Sequence, residues 1–228
     1  VGQVFLDGTR IGFTDRRSRQ YRVDLPARSR PMTLDILVEA MGRVNFGTEV
    51  HDRKGIHGPV TFTPAGAASR ELGDWSVFRL PLDAPMLAGL QYETPSDPAT
   101  SGPAFWRATV TIEEPGDCFL DMRPWGQGFA WVNGHNLGRY WNIGPQQTMY
   151  VPGPWLRPGE NEIVILDLLG PEEPVIAALD EPILDQLRPQ LDFARAKRRE
   201  VTLRADFGEP TFAGSFAPGT ALHNVRFR

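Results

Sequence analysis

Apolar and polar residues alternate along Gln3-Val4-Phe5-Leu6 before Asp7-Gly8, and the pattern returns at Phe129-Ala130-Trp131-Val132 before Asn133-Gly134. A period of two marks half-buried strands, and Asp-Gly or Asn-Gly tolerates the positive φ angles of a type I′ hairpin turn. Each turn leads into a short returning strand that ends in glycine, at Gly12 and at Gly138. The succeeding segments match as well. Tyr21-Arg22-Val23-Asp24-Leu25-Pro26 leads to Leu34-Asp35-Ile36-Leu37-Val38-Glu39, as Tyr150-Val151-Pro152 leads to Ile163-Val164-Ile165-Leu166-Asp167. The offset drifts only from 126 residues (Gly8 to Gly134) to 128 (Glu39 to Asp167). A pattern shared over about forty residues indicates a duplicated β-sandwich.

The same alternation predicts strands in the first copy near Gly2–Leu6, Gln20–Asp24, Thr33–Glu39 and Pro59–Phe62. In the second copy it predicts Trp75–Leu80, Phe105–Ile112 and Asp117–Met122 ahead of the Phe129 strand, with one or two helical turns at Ile183–Leu187. The chain divides into a partial first sandwich (1–64), a small, polar linker (65–74), a second sandwich (75–170) and an extension (171–228). The second copy has about fifty residues ahead of its turn and the first almost none, so the first sandwich is expected to lack its opening strands. The chain is accordingly expected to be an excised piece of a larger polypeptide.

Composition narrows the function. The 228 residues suit two domains of about 100 residues each, and six Trp with thirteen Phe supply material for two cores. With 21 Pro and 23 Gly, long helices are excluded. Lys and Arg number 24 against 28 Asp and Glu, so no basic excess exists to hold a phosphate backbone, and nucleic acid is not an expected partner. No stretch reaches the ~20 apolar residues of a membrane-spanning helix. Cys118 stands alone, which excludes an intrachain disulfide. The histidines, at 51, 57, 135 and 223, show no ligand spacing, so neither a metal site nor a cofactor is expected.

Three stretches together resemble the C-terminal region of glycoside hydrolase family 35 β-galactosidases. They are Leu37-Val38-Glu39-Ala40-Met41-Gly42-Arg43-Val44-Asn45-Phe46-Gly47, then Arg53-Lys54-Gly55-Ile56-His57-Gly58, then Gly128 through Trp141, running on into Gly144-Pro145-Gln146-Gln147-Thr148-Met149-Tyr150-Val151-Pro152. The resemblance covers roughly Val1 to Leu169. It implies an all-β chain of two tandem galactose-binding-like or jelly-roll β-sandwiches, the first N-terminally truncated, behind a catalytic barrel of the same polypeptide. It further implies that 171–228 leads into another β-rich domain. A retaining glycosidase needs two carboxyl groups about 5 Å apart, which the family places in the barrel, so no catalytic residue is expected here. The function implied is the non-catalytic part of a retaining β-galactosidase acting on terminal β-D-galactosyl residues, bracing its barrel. The alternatives are a carbohydrate-binding module pair without hydrolase activity and a purely structural or dimerising unit.

The acidic pairs Glu113-Glu114, Glu172-Glu173 and Asp180-Glu181 stand beside prolines, where turns are expected, and adjacent strand residues face opposite ways. None is a credible dyad. Trp125, Arg139 and Trp141 are the candidates for contact with a galactose-containing carbohydrate, because sugar sites join an aromatic platform to planar polar groups. In the competing reading, alternate residues of the hairpin that holds Tyr140 and Trp141 face the core, and Arg139 bonds exposed carbonyls at the sandwich end or meets a neighbouring domain; burial of Trp141 separates the two. Arg43, Asn45, Arg53 and Lys54, in Gly-rich loops, are the candidates for contact with the barrel. A polar loop bonded only to itself competes with that assignment.

Overall fold

The computed structural model describes residues 1–27, 29–40, 42–92, 102–188 and the strand at 223–226. The chain forms two compact units, Val1–Pro81 and Leu82–Phe227.

In the first unit, β1 (Gly2–Leu6), β2 (Thr9–Thr14) and β3 (Leu34–Val38) form an antiparallel sheet in the order β2-β1-β3. Asp7 (φ 46°) and Gly8 (φ 76°) make the expected positive-φ turn between β1 and β2. Val4 and Leu6 are buried. A separate hairpin pairs β4 (Thr61–Phe62) with β5 (Arg70–Glu71), and Leu72 donates its N–H to Val60 O across it. The stretch expected to be a linker therefore contributes a strand.

Two of the expected strands do not form. After β2 the chain makes one bridge, Asp15 to Gln20, and Tyr21–Asp24 has no ladder partner. The Asp15 carboxylate accepts from Arg17 N at 2.9 Å and from its guanidinium at 2.7 Å, which folds the turn between the two bridged residues. Val23 instead packs on Gly12, where a Cβ would lie 2.6 Å from Val23 Cγ1. Trp75–Leu80 likewise has no regular structure.

The second unit is a two-sheet sandwich. β6 (Ala104–Ile112), β8 (Gln127–Val132), β9 (His135–Trp141), β11 (Gly159–Asp167) and β13 (His223–Arg226) form one sheet in the order β13-β6-β11-β8-β9. β7 (Cys118–Asp121), β10 (Thr148–Val151) and β12 (Ala178–Leu179) form the other, in the order β10-β7-β12. Trp106, Val132, Tyr140 and Ile165 of the larger sheet meet Leu120 and Met149 of the smaller in one core. The opposite face of the larger sheet is also buried at Phe105, Trp131, Val164 and Leu166. That accounts for the unbroken run Ile163-Val164-Ile165-Leu166, since a strand covered on both faces has no polar alternate. A short helix, α1 (Ala84–Ala88), is capped by Asp83, whose carboxylate accepts from Met86 N.

The helical turn expected at Ile183–Leu187 is absent, because its main-chain groups are spent elsewhere. Ile183 O accepts from Gln147 N at 2.8 Å, Gln186 N donates to Pro145 O at 3.0 Å, and Arg188 N to Ile143 O at 2.8 Å. Together with β12, these bonds make 172–188 a continuation of the second sandwich.

The duplication holds down to single atoms. Asn133 (φ 48°) and Gly134 (φ 81°) repeat the Asp7-Gly8 turn. The register slips between Val4 and Phe5 in one hairpin and between Ala130 and Trp131 in the other, at equivalent positions. Asp7 N donates to Thr33 O while Thr33 N donates to Asp7 Oδ1; Asn133 N donates to Glu162 O while Glu162 N donates to Asn133 Oδ1. The ladders also correct the alignment by one residue. Gly2 faces Val38 and Gly128 faces Asp167, so Val38, rather than Glu39, is the counterpart of Asp167.

Candidate functional site

The structure separates the three carbohydrate candidates. Trp125 is 2% exposed, stands edge-on to Trp106 with ring centroids 6.0 Å apart, and donates Nε1–H to Val175 O at 2.8 Å. A buried indole with its N–H already bonded offers no face to a sugar, so Trp125 is a core residue. Arg139 and Trp141 are brought together, because residues two apart on β9 share a face. The Arg139 guanidinium carbon lies 4.8 Å from the centre of the Trp141 ring, and both side chains are half-buried. One face of the indole is therefore occupied by the cation.

Tyr140, between them, points the other way into the core. Its hydroxyl donates to Asp167 Oδ2 at 2.8 Å, and the same carboxylate accepts from Gly126 N at 2.7 Å and from Leu169 N and Gly170 N at 2.8 Å. Burial pushes the Asp167 carboxyl above its usual range, against the pull of these donors, and burial pushes the Tyr140 hydroxyl up as well. The network ties the bend before β8 to the end of β11. Gly128 admits no side chain there, since a Cβ would lie 1.7 Å from Leu166 O.

A second aromatic group escaped the sequence reading. Phe119 and Tyr150 are cross-strand partners on β7 and β10, with ring centroids 5.5 Å apart and planes tilted by 46°. Leu179 of β12 faces Phe119 on its other side. Cys118, Leu120, Met149 and Val151, their strand neighbours, all belong to the core, so Phe119 and Tyr150 alternate to the outer face. Tyr150 is 48% exposed. Its hydroxyl bonds the Asp117 carboxylate, which also accepts from Gly153 N at 2.7 Å. The Gly153 N–H and then the Tyr150 hydroxyl hold the Asp117 carboxyl below its usual value. The alternation of these two short strands was the signal available, but the partner strand of Tyr150 was not identifiable from spacing.

In the first unit, Arg43, Asn45 and Arg53 are exposed, whereas Lys54 is turned inward. Lys54 Nζ lies 2.7 Å from Asp52 Oδ2, and Arg16 Nη1 donates to both Asp52 oxygens at 2.9 and 2.7 Å. Arg16, by hydrogen bonding, and then Lys54 hold the Asp52 carboxyl down at about 2. Lys54 thus belongs to an internal polar cluster that pins the loop to the end of β2. The pinned loop displays apolar side chains: Phe46 is 89% exposed, Val50 48% and Ile56 55%.

Glu113, Glu114, Glu172, Glu173, Asp180 and Glu181 are all exposed on loops. Among the described residues, no group of three or more His, Cys, Asp or Glu could hold a metal ion, and no helix is long and apolar enough to cross a membrane.

The architecture defines a class: a chain of tandem antiparallel all-β units. Comparison with known proteins specifies it. Residues 1–81 match the model of the β-galactosidase first all-beta domain, and residues 103–161 that of the β-galactosidase galactose-binding domain. The chain is 41% identical over 153 residues to a β-galactosidase of Xanthomonas manihotis, covering 66% of this chain and 24% of that protein. It is 37% identical over 171 residues to human β-galactosidase-1-like protein 3 (73% of this chain, 25% of that protein), and 33% identical over 177 residues to a Bos taurus β-galactosidase (66% and 26%). The chain belongs to the β-galactosidases of glycoside hydrolase family 35 and corresponds to their C-terminal β-domain region. It spans about a quarter of the length of these relatives.

Proposed function

We propose that this chain is the non-catalytic β-domain part of a retaining β-galactosidase that removes terminal β-D-galactosyl residues, and that it braces the catalytic barrel of the same polypeptide. The observation that carries the reading is the match of both units to β-galactosidase β domains while every acidic pair lies exposed on a loop. Retaining hydrolysis needs two carboxyl groups about 5 Å apart on a rigid support, and these pairs, exposed on loops, have no such support. In the bracing role, Arg43, Asn45 and Arg53 contact the barrel beside Phe46, Val50 and Ile56, while Lys54 stiffens the loop through Asp52. Replacing Phe46 and Ile56 by Asp in the complete β-galactosidase tests this. The expected result is a lower melting temperature of the whole enzyme with unchanged melting of the separate chain; equal melting of both whole enzymes would oppose it.

A second reading, carbohydrate binding, is favoured by the half-exposed Tyr150 beside Phe119 and by Trp141 beside Arg139. An aromatic face packs on the apolar C–H side of a pyranose, and the Asp117 carboxylate or the guanidinium accepts or donates at its hydroxyls. Titration of the chain with galactose and lactose separates the readings, since submillimolar affinity of the chain alone supports a binding module and its absence supports a brace.

A further inference from the structure

The segment from Trp75 to Pro81 makes no main-chain hydrogen bond among the described residues. The last such bond before it is Leu72 N to Val60 O, and the next is Leu87 N to Asp83 O. Its side chains are as bare as its backbone. Trp75 and Leu80 are each 42% exposed, and Val77 and Phe78 each 85%. Among the described residues, the one hydrogen bond that holds it runs from Trp75 Nε1 to Leu72 O at 2.9 Å. Positive φ angles at Asp74 (56°) and Leu82 (55°) bracket the segment, a conformation that costs about 1 kcal/mol or more for residues other than glycine.

The composition is that of a strand: Trp, Val, Phe and Leu within six residues, closed by Pro81, which has no N–H to donate. In a strand, Trp75 and Val77 would face one way and Phe78 and Leu80 the other. A strand apolar on both faces belongs inside a sheet covered on both sides. That requirement selects the occupant. A second copy of the same segment could satisfy the backbone, but the pair would leave both apolar faces in water. What is needed is a sheet edge together with layers above and below it.

We infer that Trp75–Leu80 becomes a β-strand by pairing with a sheet edge in the part of the β-galactosidase polypeptide outside this chain. The matched region makes up 24–25% of the Xanthomonas manihotis and human relatives, so most of the family's polypeptide is available to provide that edge. The inference rests on the reading of this chain as part of a β-galactosidase. It adds a mode of attachment, strand addition, to the loop contacts of Arg43, Asn45 and Arg53.

Amide hydrogen exchange on the chain alone and on the complete β-galactosidase tests it. The amides of Ser76–Leu80 are expected to exchange at unprotected rates in the chain and to slow by about 100-fold or more in the complete protein. The double substitution Val77→Asp and Phe78→Asp is expected to leave the melting of the chain unchanged and to lower that of the complete protein. Unprotected amides in a complete protein that hydrolyses β-galactosides would overturn the inference. So would protection that develops in the chain alone as its concentration rises, which would assign the segment to self-association. Failure of the underlying reading shows differently, as a complete protein without β-galactoside hydrolysis.

Discussion

Tyr140 and Asp167 meet inside the second sandwich at 2.8 Å, the phenol donating to a carboxylate that three backbone N–H groups also hold. Val38, the counterpart of Asp167 in the first copy, has no carboxylate, and Thr14, the counterpart of Tyr140, bonds Gly2 O at 3.4 Å. The second copy has thus replaced an ordinary ladder end by a polar lock that fixes where β8 begins. Tyr140→Phe removes one of four donors and should cost about 1–3 kcal/mol, whereas Asp167→Ala strands all four and should cost more. Urea denaturation of the two variants checks the order.

The pH dependence of the lock follows from its burial. The folded-state pKa of Asp167 is raised above the unfolded value of about 3.9. Its contribution to stability is therefore fully present below that value and declines as pH rises through the folded pKa. The stability difference between the parent chain and Asp167→Asn should accordingly shrink across that window as pH rises. Denaturation at a series of pH values from about 4 upward measures it, and a difference that grows with pH contradicts the assignment.

Asp52 titrates in the opposite sense. Arg16 and Lys54 lower its carboxyl to about 2, so its contribution is present above the unfolded value and is lost as pH falls through about 2. The carboxyl carbon shift of Asp52 should titrate near this value of about 2 in the parent chain. In Arg16→Ala the midpoint should move up toward about 3.9. An unmoved midpoint would mean that Arg16 does not hold the loop.

The tryptophans should divide by burial. Trp125→Ala removes a core side chain and its bond to Val175, at an expected cost of about 3–5 kcal/mol. Trp141→Ala, on the outer face of β9, should cost less, and Tyr150→Ala should fall within about 1 kcal/mol of the parent. Thermal melts of the three variants decide the order, and a Trp141 variant as damaged as the Trp125 variant would place Trp141 in the core.

What the sequence disclosed tracks how local the cause is. Asp7-Gly8 and Asn133-Gly134 encode their turns in two residues, so both hairpins were legible, even though their equivalent bulges were not. The Gln20–Asp24 run alternates like a strand, yet beyond the Asp15–Gln20 bridge only the Val23 side chain meets β2, and alternation alone does not reveal that the backbone bonds stop there. Trp125 looked like a platform because its partners, Trp106 and Val175, come from other elements, the second of them 50 residues away. Lys54 looked free because Arg16, which completes the cluster around Asp52, lies 36 residues from that carboxylate. Phe119 and Tyr150 became a pair only once β7 and β10 were known to be neighbours.

Hydrolysis of an aryl β-galactoside by the purified 228-residue chain and by the complete polypeptide that carries it tests the central assignment most directly. No turnover is expected from the chain, whereas the complete polypeptide is expected to turn over with retention at the anomeric carbon, read by proton NMR of the first-formed sugar. Turnover by the chain alone, or none by the complete polypeptide, would contradict it.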